Sequence, residues 1–147
     1  MRFLALTYTL LIMQTCAQES QFIAADLAGE YRLIAFQGQA IGDLQSLHRA
    51  FHRPMHIHED GSVWGHGGCN GGSLQIDPTL TYWQPVRPLR ATQRFCPPAE
   101  DDPVPEAAYF NLLSGTYDWD LKDGLLSLWP QGVSSDTPSA LFAIQPS

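Results

Sequence analysis

A chain of 147 residues with 44% apolar content and four Trp can bury one hydrophobic core, and its length argues for a single domain. Fifteen acidic residues against eight basic ones give a net charge of −7. Such a chain repels polyanions and shows no basic stripe, so nucleic acid is not among its expected partners.

The N-terminus, residues 1–16, places Arg2 ahead of an apolar run from Phe3 to Met13 and closes on Cys16. This is the layout of a secretory signal peptide, and the run is shorter than the roughly 20 residues that cross a bilayer as a helix. Cys16 directly after the apolar region resembles the bacterial lipoprotein signal, in which the thiol is acylated and becomes the new N-terminus, although Met13, Gln14 and Thr15 depart from the usual residues before that Cys. Ordinary cleavage after Ala17, with Thr15 and Ala17 as the small residues, is the alternative. Both predict export, and the first predicts a periplasmic protein held at the membrane through a lipid on Cys16. Loss of the leader removes Arg2 and leaves seven basic residues against fifteen acidic ones. The two remaining cysteines, Cys69 and Cys96, would meet an oxidising compartment, where they either pair as a disulfide or pack as two thiols.

Residues 17–28 are polar and alanine-rich and read as a tether, with the domain proper over 29–147. "EYRLIAFQG" alternates Tyr31 and Leu33 against Arg32 and Ile34, a strand buried on one face. Leu44, Leu47 and Phe51 recur at helical spacing before Pro54. From Pro54, Met55 and Ile57 point one way and His56 and His58 the other; Asp60-Gly61 turns the chain and Val63 returns, a hairpin. "SLQI" and "LTYW" offer two short strands around Asp77-Pro78, and "VRPLRATQRF" runs extended to Cys96. After an acidic, proline-punctuated loop, residues 105–115 carry apolar side chains at helical intervals between Pro105 and Gly115. "YDWDLKDGLLSLWP" is a second hairpin, turning at Lys122-Asp123-Gly124, and "ALFAI" a last strand. Many short strands with one dependable helix predict an α+β domain, a curved antiparallel sheet with the helix packed on it.

Residues 65–72, "GHGGCNGG", admit three uses: a reactive thiol on an exposed loop, an anion-binding backbone cradle, or a tight structural corner. Glycine and asparagine tolerate positive φ, which suits a corner or bulge. No Gly-Lys-Ser/Thr ending follows, so no nucleotide cofactor is expected. A nucleophilic Cys69 needs an adjacent base, and only His66 is close in sequence. All five histidines fall between positions 48 and 66: His48 and His52 at helical spacing, His56 and His58 on one strand face, and His66. These are the candidate metal ligands, and no carboxylate or thiolate is fixed among them by a known motif.

The order of these features resembles the META domain family, which includes HslJ-like bacterial envelope proteins. The resemblance is carried by the entry strand "EYRLIAFQG", by "DGSVWGHGGCNGG" against D-G-x-x-x-G-x-x-G-C-N, by "ATQRFC" against T-x-x-x-C, and by Glu106 opening the helix. Matching motif positions are thus Gly68, Cys69, Asn70, Thr92, Cys96 and Glu106 over a span of residues 29–143. The resemblance implies a strongly bent sheet, a partial or cracked barrel. It implies no established enzymatic activity and no cofactor, and it associates the chain with the envelope and its stress response. The expected role is a non-enzymatic, lipid-anchored module that binds an envelope protein or an apolar small ligand, with Trp64, Trp83, Trp119 and Trp129 as candidate groove residues. Two other roles are open at this stage: a periplasmic metal-binding protein using the His48–His66 cluster, and a small hydrolase or thiol enzyme using Cys69.

Overall fold

In the computed structural model the described residues are 23–42, 53–97 and 102–146. The Cys16 lipidation site, His48, His52 and the helix read around Leu44–Phe51 lie outside them. The two hairpins form where alternation and turn chemistry coincide. β3 (Pro54–Ile57) pairs with β4 (Ser62–His66), and β7 (Tyr117–Lys122) with β8 (Leu125–Pro130). Asp60 stabilises the first turn by accepting both the Ser62 N–H (2.8 Å) and its hydroxyl (2.6 Å). The second turn is carried by Asp123 and Gly124, both at positive φ (53° and 76°), as a two-residue hairpin requires.

The remaining strands are β1 (Gly29–Phe36), β2 (Gln39–Ala40), β5 (Gly71–Gln75), β6 (Arg90–Ala91) and β9 (Ala140–Ile144). They complete a nine-stranded antiparallel sheet of order β6-β5-β4-β3-β1-β9-β8-β7, with β2 paired to β1 alone. Central strand β1 carries a bulge between Leu33 and Ala35 opposite β9, which bends it and adds twist. The sheet stays open along its length. At one corner residues 83–85 tie its two sides, Ile76 bridging to Pro85 and Trp83 to Tyr117 on edge strand β7. This is the bent, incompletely closed α+β barrel that the sequence predicts.

Helix α2 (Glu106–Leu113) packs its buried face, Tyr109, Leu112 and Leu113, into one cluster with Tyr31, Leu33, Met55, Val63, Leu126 and Phe142. Trp83 lies fully buried among them, and its indole N–H donates to the Leu113 carbonyl (3.0 Å), satisfying a terminal acceptor of the helix. Trp83 is therefore core and not a groove residue as expected from sequence. Trp119 packs against the same cluster and donates its N–H to the Thr81 carbonyl (2.9 Å).

A short helix, α1 (Ile23–Leu27), lies inside the stretch read as a tether. Its Ala24 and Leu27 are fully buried, and the Tyr31 hydroxyl donates to the Leu27 carbonyl (3.0 Å). These residues belong to the core, so the packed part of the chain starts before Gly29. "LTYW" forms no regular strand: the Leu80 N–H turns back to the Asp77 carbonyl, and only Trp83 pairs, in a single bridge to Tyr117. Among the described residues no helix is long and apolar enough to cross a membrane.

Candidate functional site

The glycine-rich stretch is the connection between β4 and β5. The Gly67 N–H donates to the Asn70 carbonyl (2.8 Å), leaving a two-residue link, Gly68-Cys69, with Gly68 at φ 112°. Glycine leads such a link because its first central residue needs positive φ. Gly67 is required for a different reason: a Cβ there would stand 2.5 Å from Cγ of Glu106, so α2 can approach the hairpin only over a bare backbone.

Glu106, in the first turn of α2, spends its carboxylate on this link. Oε2 accepts the backbone N–H of Cys69 (3.0 Å) and of Asn70 (2.7 Å), while Oε1 accepts from the Asn70 side-chain amide (2.8 Å). Asn70, only 7% exposed, uses its other capacity on the incoming loop. Its Oδ1 accepts from the Thr92 hydroxyl (2.8 Å) and the Arg94 N–H (2.7 Å), and its amide also reaches the Arg94 carbonyl (3.3 Å). Thr92 completes the set by accepting the Gly71 N–H (3.3 Å). Cys96, two residues beyond Arg94, is disulfide-bonded to Cys69, with Cα atoms 6.2 Å apart. All six motif positions of the sequence reading thus meet at one place, fastening hairpin, loop and helix together.

Burial alone would raise the Glu106 carboxyl. The Asn70 side chain, the two backbone N–H groups and the Arg53 charge outweigh it and hold the group below the ordinary glutamate range. Its contribution to stability is therefore fully present above the ordinary glutamate value and is lost as pH falls through the lower folded value. We expect Glu106→Gln to flatten the acid limb of the stability profile between roughly pH 5 and pH 3, read from urea unfolding midpoints. An acid limb identical to that of the parent would contradict the assignment.

Sequence reasoning missed the neighbouring support. Arg53 is fully buried, and its guanidinium pairs with Asp102 and also donates to the Val104 carbonyl, pinning the segment that leads into α2. The Tyr109 hydroxyl donates to the Pro54 carbonyl (3.1 Å), and burial pushes its pKa well above the ordinary tyrosine range against the opposing Arg53 charge. A lone Arg before a Pro carries no sequence signal of such burial.

These partners leave little for chemistry at Cys69. Its sulfur is in the disulfide, and His66 accepts the Gly68 N–H at Nδ1 (3.2 Å). Of the histidines, His56, His58 and His66 are described. Among the described residues no group of three or more His, Cys, Asp or Glu could hold a metal ion. His56 and His66 instead flank Trp64, with ring centroids 5.4 and 5.9 Å from it. Trp64 is 39% exposed on the outer face of the sheet and lines a groove of about 310 Å³ with His58, Ser73, Arg87 and Arg90. The alternation that sends Val63 inward sends Trp64 outward; the approach of the two arginines depends on the path of the proline-rich loop and has no sequence signal.

No curated protein and no solved structure matches the chain significantly. The META domain matches residues 25–138, from within α1 to just before β9. That span contains the hairpin link, the Thr92–Cys96 loop and the helix that Glu106 opens, and the chain belongs to the META domain family.

Proposed function

We propose that this protein is an exported, non-enzymatic binding module of the cell envelope, anchored through a lipid on Cys16, that presents the outer face of β3, β4 and β5 to an envelope protein or a small ligand. One observation carries the reading: the motif side chains spend their polar groups on one another, while Trp64 and its groove are left facing solvent. An indole on a sheet face, with polar groups beside it, is the usual anchor of a recognition surface. The leader supports export, and the disulfide fits an oxidising compartment.

Affinity capture from envelope extract tests the binding role. The mature protein should retain a defined set of molecules that Trp64→Ala loses, whereas equal retention by both proteins would overturn the assignment of this face. Anchoring is tested separately by radioactive palmitate: label should enter the parent chain and not Cys16→Ser, and an unlabelled parent removes the lipid anchor.

A further inference from the structure

Trp64 stands at the middle of a cross-strand row. Glu30, His56, Trp64, Ser73 and Arg90 are successive partners on β1, β3, β4, β5 and β6. Beside the indole, the groove is lined by Arg87, Pro88 and Arg90 and by Ser73 and Gln75. Two of the eight basic residues of a chain with net charge −7 therefore converge on one small concavity, whose local field runs against that of the whole molecule. Of the acids near this face, Asp60 sits at the Ser62 and Gln75 end of the groove with its carboxylate accepting from Ser62, and Glu30 stands 4.0 Å from His56, on the side of the row away from Arg90.

We propose that this groove binds a carboxylated sugar, a saccharide of the uronic-acid type. The proposal rests on the reading of this face as a binding surface and names what it takes. The apolar C–H face of a pyranose ring packs on the exposed Trp64 indole, whose body is apolar and whose edge is polar. Arg87 and Arg90 hold the carboxylate, which a guanidinium fork fits in a bidentate manner. The Ser73 hydroxyl and the Gln75 side-chain oxygen serve the ring hydroxyls. A bare anion would leave the indole unused, and a neutral sugar would leave the arginines unpaired. A polyanion would be repelled by the rest of the surface.

The mature, disulfide-bonded protein is titrated with a uronic-acid disaccharide, with the neutral disaccharide of the same linkage, and with acetate and inorganic phosphate. The readout is the NMR signal of the Trp64 indole N–H, assigned by its loss in Trp64→Phe. We expect a saturable shift with the acidic disaccharide, binding weaker by about tenfold or more for the neutral one, and a similar loss in Arg87→Gln and Arg90→Gln. Acetate and phosphate should leave the indole unmoved. Equal binding of the two disaccharides, an equal shift with phosphate, or no shift with either sugar would overturn the proposal. In the last case, loss of captured envelope molecules in Trp64→Ala would still uphold the binding face, so the two ideas fail separately.

Discussion

Asn70→Asp is expected to cost about 3–4 kcal/mol at neutral pH, although the two side chains have the same shape. The substitution removes the amide that donates to Glu106 Oε1 at 2.8 Å and sets a second carboxylate in its place. Two carboxylates at that separation cannot both ionise freely, so one must take up a proton or the link must open. The acceptor side of the residue is kept, since an Asp oxygen can still receive the Thr92 hydroxyl and the Arg94 N–H. Asn70→Ala lacks the repulsion but orphans both sets of partners, and is expected to cost about 2 kcal/mol. The two variants separate by pH: the deficit of Asn70→Asp relative to the parent should shrink as one carboxyl protonates, whereas that of Asn70→Ala has no such relief. Urea unfolding at pH 7 and near pH 4.5 reads the difference, and a parent-like midpoint for Asn70→Asp at pH 7 would refute the network.

Opening the disulfide should cost about as much. Cys69 and Cys96 are 27 positions apart, and closing a loop of that length restricts the unfolded chain by about 3.5 kcal/mol in the chain-entropy treatment. For a domain of this size the melting temperature should fall by roughly 10–15 °C. Cys96 is exposed, so a reductant can reach the bond without prior unfolding. Calorimetry with and without reductant, beside the Cys69→Ser/Cys96→Ser double variant, checks this. Unchanged melting in all three samples would mean that the bridge does not hold the fold.

The parts of the fold that could be read from sequence are those where period and punctuation agree. Met55 and Ile57 alternate with His56 and His58 up to Asp60-Gly61, and Trp119 and Leu121 alternate up to Asp123-Gly124; both became hairpins in register. Helix α2 was legible from Tyr109, Leu112 and Leu113, all of which are buried. The segment ending at Trp83 was misread as a strand because its β-favouring residues suggest a ladder, whereas only Trp83 finds a strand partner, in a single bridge to Tyr117. Helix α1 was missed because five residues are too few for a periodic signal, and only its packing of Ala24 and Leu27 makes it part of the domain.

The candidate site divides in the same way. Glycine, Asn and Cys at residues 67–70 announced a corner, and family resemblance placed Thr92, Cys96 and Glu106 in one set with it. That Glu106 would span 36 and 37 positions to cap two backbone N–H groups could not be read, because hydrogen bonds to backbone leave no complementary side chain to find. Arg87 and Arg90 were likewise silent. Their convergence on Trp64 comes from how the loop after Trp83 returns to pair β6 with β5, a tertiary event without a local pattern.

A double-mutant cycle between Asn70 and Glu106 probes most directly whether the motif is a fastening or a reaction centre. With both residues cut to Ala, singly and together, unfolding free energies should show a coupling of about 1–1.5 kcal/mol from the one bond the two side chains share, while each truncation also carries the cost of its own other partners. Additivity within about 0.5 kcal/mol would show that the bond between the Asn70 amide and the Glu106 carboxylate does not help hold the helix to the hairpin.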